Sequence, residues 1–228
     1  IPERAGYKKL VLELGGNSPL IIMEDADLEL ASNLATEGCF RNSGQRCTAV
    51  KRLLVHEDIL DEFTGRFVEE AATYNYGDPA DPDTRVGTVI DEEAAIYLEN
   101  VVKDAVALGA RVLLGGTREG ALMTPTVIAD VPRDADIVVK ESFGPLAPIM
   151  KVSDIDDAIE LANATAYGLS SGIVTRDMDR AININQVPGY RIECSPFGGV
   201  KDSGLGVKEG VIEAMKGMTY VKTFSLPW

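Results

Sequence analysis

Short apolar runs rich in branched residues alternate with helical stretches of a dozen or more residues along most of this chain, and that alternation restricts its fold more than any other feature. "KLVLELGG" (9–16), "SPLIIM" (18–23), "VKRLLVHE" (50–57), "RVLLGG" (111–116), "PTVIADV" (125–131) and "SSGIVTRD" (170–177) read as strands. "DADLELASNLATEGCF" (25–40), which has an acidic opening turn, "DILDEFTGRFVEEAATYN" (58–75), "DEEAAIYLENVVKDAVALGA" (91–110) and "DIDDAIELANATAYG" (154–168) carry apolar residues at helical spacing. Antiparallel neighbours need only a tight turn, whereas parallel ones need a crossover of a dozen or more residues, usually a helix. The spacing therefore predicts an α/β fold with a largely parallel sheet flanked by helices.

No repeat, low-complexity tract or Pro/Gly/Ser linker interrupts this pattern, so one main domain is expected over 1–206. The tail differs: "VIEAMKGM" (211–218) reads as a short helix and "TYVKTFSLPW" (219–228) as an extension strand, which together make 207–228 a segment suited to pairing with another element or a second subunit.

Charge and cysteines narrow the chemistry. With 36 acidic and 22 basic residues the chain carries a formal charge of −14, a field that repels nucleic acid and anionic lipid. Three cysteines without CxxC spacing and a single histidine, His56, argue against a disulfide framework or a metal site. They suit a reducing, cytoplasmic compartment. No apolar run approaches the roughly 20 residues that span a bilayer, and "IPERAGYKK" lacks the apolar core of a signal peptide.

In "FRNSGQRCTAVKR" (40–52) a polar, glycine-containing turn precedes Cys47, with Arg46 before it and Thr48 behind it. A thiol is a useful nucleophile as a thiolate, which positive potential favours, and a turn leading into a helix would supply N–H groups for thiolate and oxyanion. Free cysteine is also among the most buried residue types, and that structural reading suits Cys39 and Cys194. Glu13 sits between leucines at the end of an expected strand, where burial would raise its pKa and suit it to a general base; a solvated edge carboxylate is the alternative. The glycines that follow it let backbone or ligand approach closely. In "KESFGPLAP", Glu141 precedes Phe143: either an acceptor for ribose hydroxyls beside a ring that supports a flat heterocycle, or a solvated acid beside a core phenylalanine. Lys51 and Arg52, where a strand begins, read as solvated or structural.

"LELGGNSPLII", "NSGQRCTAVKRLLVH", "ESFGPLAPI" and "SPFGGVKDSGLG" follow one another in the order in which the aldehyde dehydrogenase superfamily presents its catalytic-domain motifs, and the resemblance runs over essentially the whole chain. It implies that Cys47 is the catalytic thiol, Glu13 the base that activates water, Glu141 the ribose-binding acid and Phe143 the ring near the nicotinamide. The implied reaction is oxidation of an aldehyde to a carboxylate with NAD, NADP not being excluded. It further implies a dinucleotide-binding N-terminal half to which nothing here corresponds, so a fragment is expected, and a folded chain without turnover is the non-enzyme alternative. "DMDRAININQVPGYR" (177–191) looks roughly ten residues short of the helix that relatives would have there.

"GQRCTAVKR" resembles the branch of non-phosphorylating glyceraldehyde-3-phosphate, lactaldehyde and phosphonoacetaldehyde dehydrogenases, and "VPGYRIE" with "TYVKTFSLPW" is most similar to the last of these. The likeness implies a small anionic aldehyde, phosphonoacetaldehyde first, with glyceraldehyde 3-phosphate or lactaldehyde as alternatives. Arg46, Thr48 and Arg191 would contact it, since a guanidinium suits a phosphonate. Surface ion pairs are the competing reading for both arginines. A homo-oligomer joined through the C-terminal strand is the implied assembly.

Overall fold

A computed structural model describes residues 2–6, 10, 12–177 and 198–205. Its centre is a six-stranded sheet built from β1 (Ser18–Ile22), β2 (Val50–His56), β3 (Arg111–Leu114), β4 (Thr126–Ala129), β5 (Leu146–Val152) and β6 (Gly172–Val174), in the spatial order β3-β4-β5-β2-β1-β6. All neighbours run parallel except β3 and β4, which are antiparallel. The register sets Leu20 beside Leu53 and Leu53 beside Ile149, so three branched side chains form a row across β1, β2 and β5.

Side chains alternate across the sheet with period two, and each face has its own core. Leu20, Ile22, Leu53, Val55 and Ile149 point to one face, where α1 (Leu28–Phe40) contributes Ala31, Ala35 and Phe40 and α2 (Leu60–Ala72) contributes Phe63 and Phe67. Phe67 stacks between the other two rings, with centroids 6.2 Å from Phe40 and 5.6 Å from Phe63. On the opposite face Ile21, Leu54 and Met150 pack under Leu98, Val101 and Val102 of α3 (Glu92–Ala107) and Ala158 and Leu161 of α4 (Ile155–Asn163). Three helices begin where their acids indicate: Asp27, Asp91 and Asp154 accept hydrogen bonds from the N–H groups of the first turn.

The predicted α/β architecture is present, with one correction. Among the described residues of "KLVLELGG" there is no strand: Glu13 makes an isolated antiparallel bridge to Gly204, the Leu14 N–H donates to the Ser203 carbonyl at 3.3 Å, and Leu14 is half exposed. Apolar, branched sequence favours a strand only where a neighbour offers a ladder, and the described residues form an isolated bridge there. The segment 177–191 beyond its first residue, and the expected helix and strand of 207–228, lie outside the described residues, as do Arg191 and Cys194. Among the described residues no helix is long and apolar enough to cross a membrane.

Candidate active site

Open α/β sheets ordinarily bind ligands beyond the carboxyl ends of their strands. Here the chemistry-bearing residues gather at the other edge, because Asn17 leads into β1, the Cys47 turn into β2 and Gly144 into β5. The expectation that the cysteine turn leads into a helix is therefore corrected: it leads out of α1 and into a strand.

The turn is built from three consecutive left-handed residues, Asn42 (φ 55°), Ser43 (φ 54°) and Gly44 (φ 67°). Asparagine tolerates this region and glycine is free in it, but serine is not, so its hold must come from contacts. Ser43 Oγ donates to the Gly87 carbonyl at 3.0 Å, Asn42 Nδ2 donates to the Gln45 carbonyl at 3.1 Å, and a Cβ on Gly44 would overlap the carbonyl of Gly144. The turn thus lies backbone to backbone against the segment that follows Phe143.

Cys47 stands half-buried on the far side of this turn, with two backbone N–H groups, its own and that of Thr48, directed at the thiol. Its surroundings are not electropositive as expected. Burial, then the charges of Glu13 and Glu141, push the thiol above its ordinary 9.0, against the pull of the two N–H groups. Cys39 is fully buried in α1 and pushed up to about 12, which makes it the inert member of the pair.

The glycine pair after Glu13 holds this arrangement together. A Cβ on Gly16 would overlap the carbonyl oxygen of Cys47, and one on Gly15 would overlap Glu141 Oε2. Glu141 Oε1 accepts the Gly16 N–H at 3.1 Å. Two glycines therefore let the cysteine turn and the acid approach the same few backbone atoms. Burial raises the Glu141 pKa, opposed by that N–H and by the charge of Lys51. Phe143 adopts φ 52° and leaves its ring 45% exposed beside the acid, so it is not the core phenylalanine of the alternative reading.

Glu13 is exposed, which removes burial as the reason for it to be a base, yet it lies near enough to act on the Cys47 thiol. Arg46 turns back on α1: Nη2 donates to the carbonyls of Gly38 at 3.1 Å and Glu37 at 3.4 Å, and Nε is buried without a hydrogen-bond partner. Desolvation lowers its pKa, and of the charged neighbours that act on it Cys47 acts least. Thr48 is 9% exposed, so its N–H faces the site while the residue is largely covered.

Two residues read as solvated or structural are fully buried, so the solvated reading is wrong for both. Arg52, 1% exposed, donates only to carbonyls: Nε and Nη2 to Asn17, Nη1 to Leu161 and Nη2 to Ala162, at 2.7–3.0 Å. It fastens the end of α4 to the chain just before β1. Lys51, also 1% exposed, donates from Nζ to the Gly44 carbonyl and lies 5.2 Å from the Phe143 ring centroid. Adjacent charges inside a strand that is otherwise apolar were the available signal. A cavity of about 400 Å³ between β1, β6 and α4, lined by Asn17, Arg52, Ile155, Ile159, Tyr167 and Leu169, includes neither Cys47 nor Glu141 in its wall.

Comparison with known proteins converges on one family. The chain is 42% identical to a sulfoacetaldehyde dehydrogenase of Neptuniibacter caesariensis over 98% of its own length and 51% of that protein's. It is 39% identical to a lactaldehyde dehydrogenase of Methanococcus maripaludis, over 98% and 50% respectively. Its fold matches the crystal structure of the glyceraldehyde-3-phosphate dehydrogenase GapN from Methanocaldococcus jannaschii complexed with NADP, with a TM-score of 0.91 and 41% identity, over 97% of this chain and 50% of that one. The chain spans about half the length of the curated relatives it matches. Because the sequence model of the aldehyde dehydrogenase family also matches it from residue 1 to residue 224, this chain belongs to the aldehyde dehydrogenase family.

Proposed function

We propose that this chain is the thiol-bearing part of an NAD(P)-dependent aldehyde dehydrogenase, and that Cys47 is its nucleophile. The observation that carries the reading is the meeting of three groups at the Gly15–Gly16 pair: the Cys47 backbone against Gly16, the N–H groups of Cys47 and Thr48 on the thiol, and the Glu141 carboxylate against Gly15.

The residues fit a nicotinamide dinucleotide. Glu141 offers a carboxylate whose second oxygen is available to ribose hydroxyls, and the Phe143 ring is presented beside it. When bound, the nicotinamide would supply the two-electron acceptor that the oxidation of an aldehyde requires. The chain's own part begins with Cys47. Its thiolate adds to the aldehyde carbon, and the oxygen that gains the negative charge takes hydrogen bonds from the Cys47 and Thr48 N–H groups. Oxidation leaves an acyl thioester on Cys47. Glu13 then takes a proton from water, the hydroxide adds to the thioester carbon, and the carboxylate departs as the thiolate is released.

Within the branch, phosphonoacetaldehyde is the proposed substrate, through an anion contact involving Arg46, with Thr48 and Arg191 completing the expected set. The sulfonate of the sulfoacetaldehyde relative's substrate has the same tetrahedral anionic form. Lactaldehyde or glyceraldehyde 3-phosphate is the second reading, supported by the two other relatives.

The test uses a protein of the relatives' full length that contains this sequence. Cys47→Ser should abolish aldehyde oxidation while Cys39→Ser and Cys194→Ser leave it, and kcat/KM across phosphonoacetaldehyde, sulfoacetaldehyde, glyceraldehyde 3-phosphate and lactaldehyde should rank the anionic two-carbon aldehydes first. Retained oxidation in Cys47→Ser would end the proposal. A first rank for lactaldehyde or glyceraldehyde 3-phosphate would move it to the second reading.

A further inference from the structure

Lys51 is a buried ammonium that the chemistry above leaves unused. Its Nζ donates to the carbonyl of Gly44, the last residue of the left-handed turn, and sits under the Phe143 ring at 5.2 Å from the centroid. These two contacts join the segments that touch where Gly44 meets Gly144. One segment carries the nucleophile and the other the Glu141 carboxylate.

Packing does not call for a charge here. A methionine would fill the same volume without the cost of desolvating an ammonium, and apolar replacement of buried charges is often neutral or stabilising. Burial indeed lowers Lys51 to about 8, and the charge of Glu141 is the largest effect opposing it, followed by those of Cys39 and, more weakly, Cys47; Arg46 acts in the direction of burial. The cation is thus held where it costs stability, and the charge that most favours it, Glu141, belongs to the site.

We propose that Lys51 is a positioning residue: it ties the cysteine turn to the 141–144 segment and places a positive charge where it offsets part of the field of Glu141 at Cys47. This rests on Cys47 being the nucleophile. With Lys51 present, the two carboxylates that disfavour a thiolate are partly balanced by an ammonium at the base of the turn, and the Gly44 carbonyl is fixed so that the N–H groups of Cys47 and Thr48 stay on the sulfur. Arg46 remains in place beside the turn and does not replace it, since its guanidinium is directed at the α1 carbonyls.

The experiment is the pH profile of iodoacetamide alkylation, read by peptide mass spectrometry on this chain as wild type, Lys51→Met and Lys51→Arg. Cys39 in the same molecules monitors the fold. In wild type Cys47 should label well ahead of Cys39. Lys51→Met should slow Cys47 labelling several-fold at pH 7.5, where Lys51 still carries its proton, and leave it close to wild type at pH 9.5, where Lys51 is neutral in wild type as well, with Cys39 still protected. Lys51→Arg, which keeps the charge, should stay close to wild type at pH 7.5. Superimposable profiles for wild type and Lys51→Met would overturn the role of Lys51 alone. Rapid labelling of Cys39 in both variants would make Lys51 a residue of the core and overturn it as well. Equal labelling of Cys47 and Cys39 in wild type would instead remove the nucleophile, and the Lys51 proposal with it.

Discussion

Gly15 and Glu141 are in direct contact: a Cβ on the glycine would overlap Glu141 Oε2, while Glu141 Oε1 holds the N–H of the next residue, Gly16, at 3.1 Å. The obstructing atom is the far end of a flexible side chain. Gly15→Ala should therefore change stability by less than about 1 kcal/mol, because the carboxylate can swing aside. What it should lose is aim. In a full-length protein, KM for NAD(P) should rise more than kcat falls, and an unchanged cofactor KM would separate Glu141 from ribose binding.

Gly16→Ala is the contrasting case, since its Cβ would meet the backbone carbonyl of Cys47, which cannot swing away. Overpacking against backbone costs on the order of 1–3 kcal/mol, and relief requires the whole turn to shift. Chemical denaturation should show a loss in that range, with Cys47 alkylation changed in the same variant. Wild-type stability in Gly16→Ala would mean that the turn is looser than its contacts indicate.

These contacts also mark what the sequence could and could not disclose. The helix starts at Asp27, Asp91 and Asp154 and the parallel β/α order were legible because each depends on neighbours a few residues away. Cys47, Glu141 and the glycine pair could be picked out by residue type and motif order. The burial of Lys51 and Arg52 was signalled by two adjacent charges inside an otherwise apolar strand, but their partners were not legible. Their acceptors are carbonyls of Gly44, Asn17, Leu161 and Ala162, and which carbonyl faces a given side chain is fixed only once the strands and α4 are assembled. The strand expected at "KLVLELGG" failed for the converse reason. Local preference was strong, but among the described residues the strand pairing there is an isolated bridge to Gly204.

The buried lysine makes a prediction about stability against pH. Folded Lys51 titrates at about 8, below its usual 10.5. Between those values the unfolded chain binds more protons, so stability rises with pH across that window, and the desolvation cost is fully present below it. The interval corresponds to about 3 kcal/mol. Measured by denaturant titration, the stability of Lys51→Met relative to wild type should be most favourable near pH 7 and should decline by up to that amount as pH rises toward 10. A difference that stays constant with pH would mean that Lys51 titrates as it does in water.

Arg46 separates two roles by substrate. If its guanidinium contacts the anionic group, Arg46→Leu in a full-length protein should lower kcat/KM for phosphonoacetaldehyde about ten- to a hundredfold, as for one lost charge-assisted hydrogen bond, and leave propanal nearly unaffected. The bonds from Arg46 to the carbonyls of Glu37 and Gly38 supply the competing outcome. Equal losses on both aldehydes would mean that Arg46 acts by bracing the turn against α1, and the anion contact would have to lie elsewhere.

Glu13 is the group whose role depends least on burial and most on reach. It is exposed in this chain, yet its charge acts on the Cys47 thiol, which sets it close to where a thioester would form. A base needed only for hydrolysis gives a distinctive kinetic result when removed. With Glu13→Gln in a full-length protein, the first turnover should produce reduced cofactor in an amount equal to the active sites, because addition and oxidation need no base at that position. Steady turnover should then fall by about two to four orders of magnitude, the usual contribution of a positioned general base. The same variant should label faster than wild type with iodoacetamide, since one of the two carboxylates that disfavour the thiolate is gone. Loss of the burst itself, with labelling accelerated, would place Glu13 in the oxidation half and leave the hydrolytic base to be found among other residues.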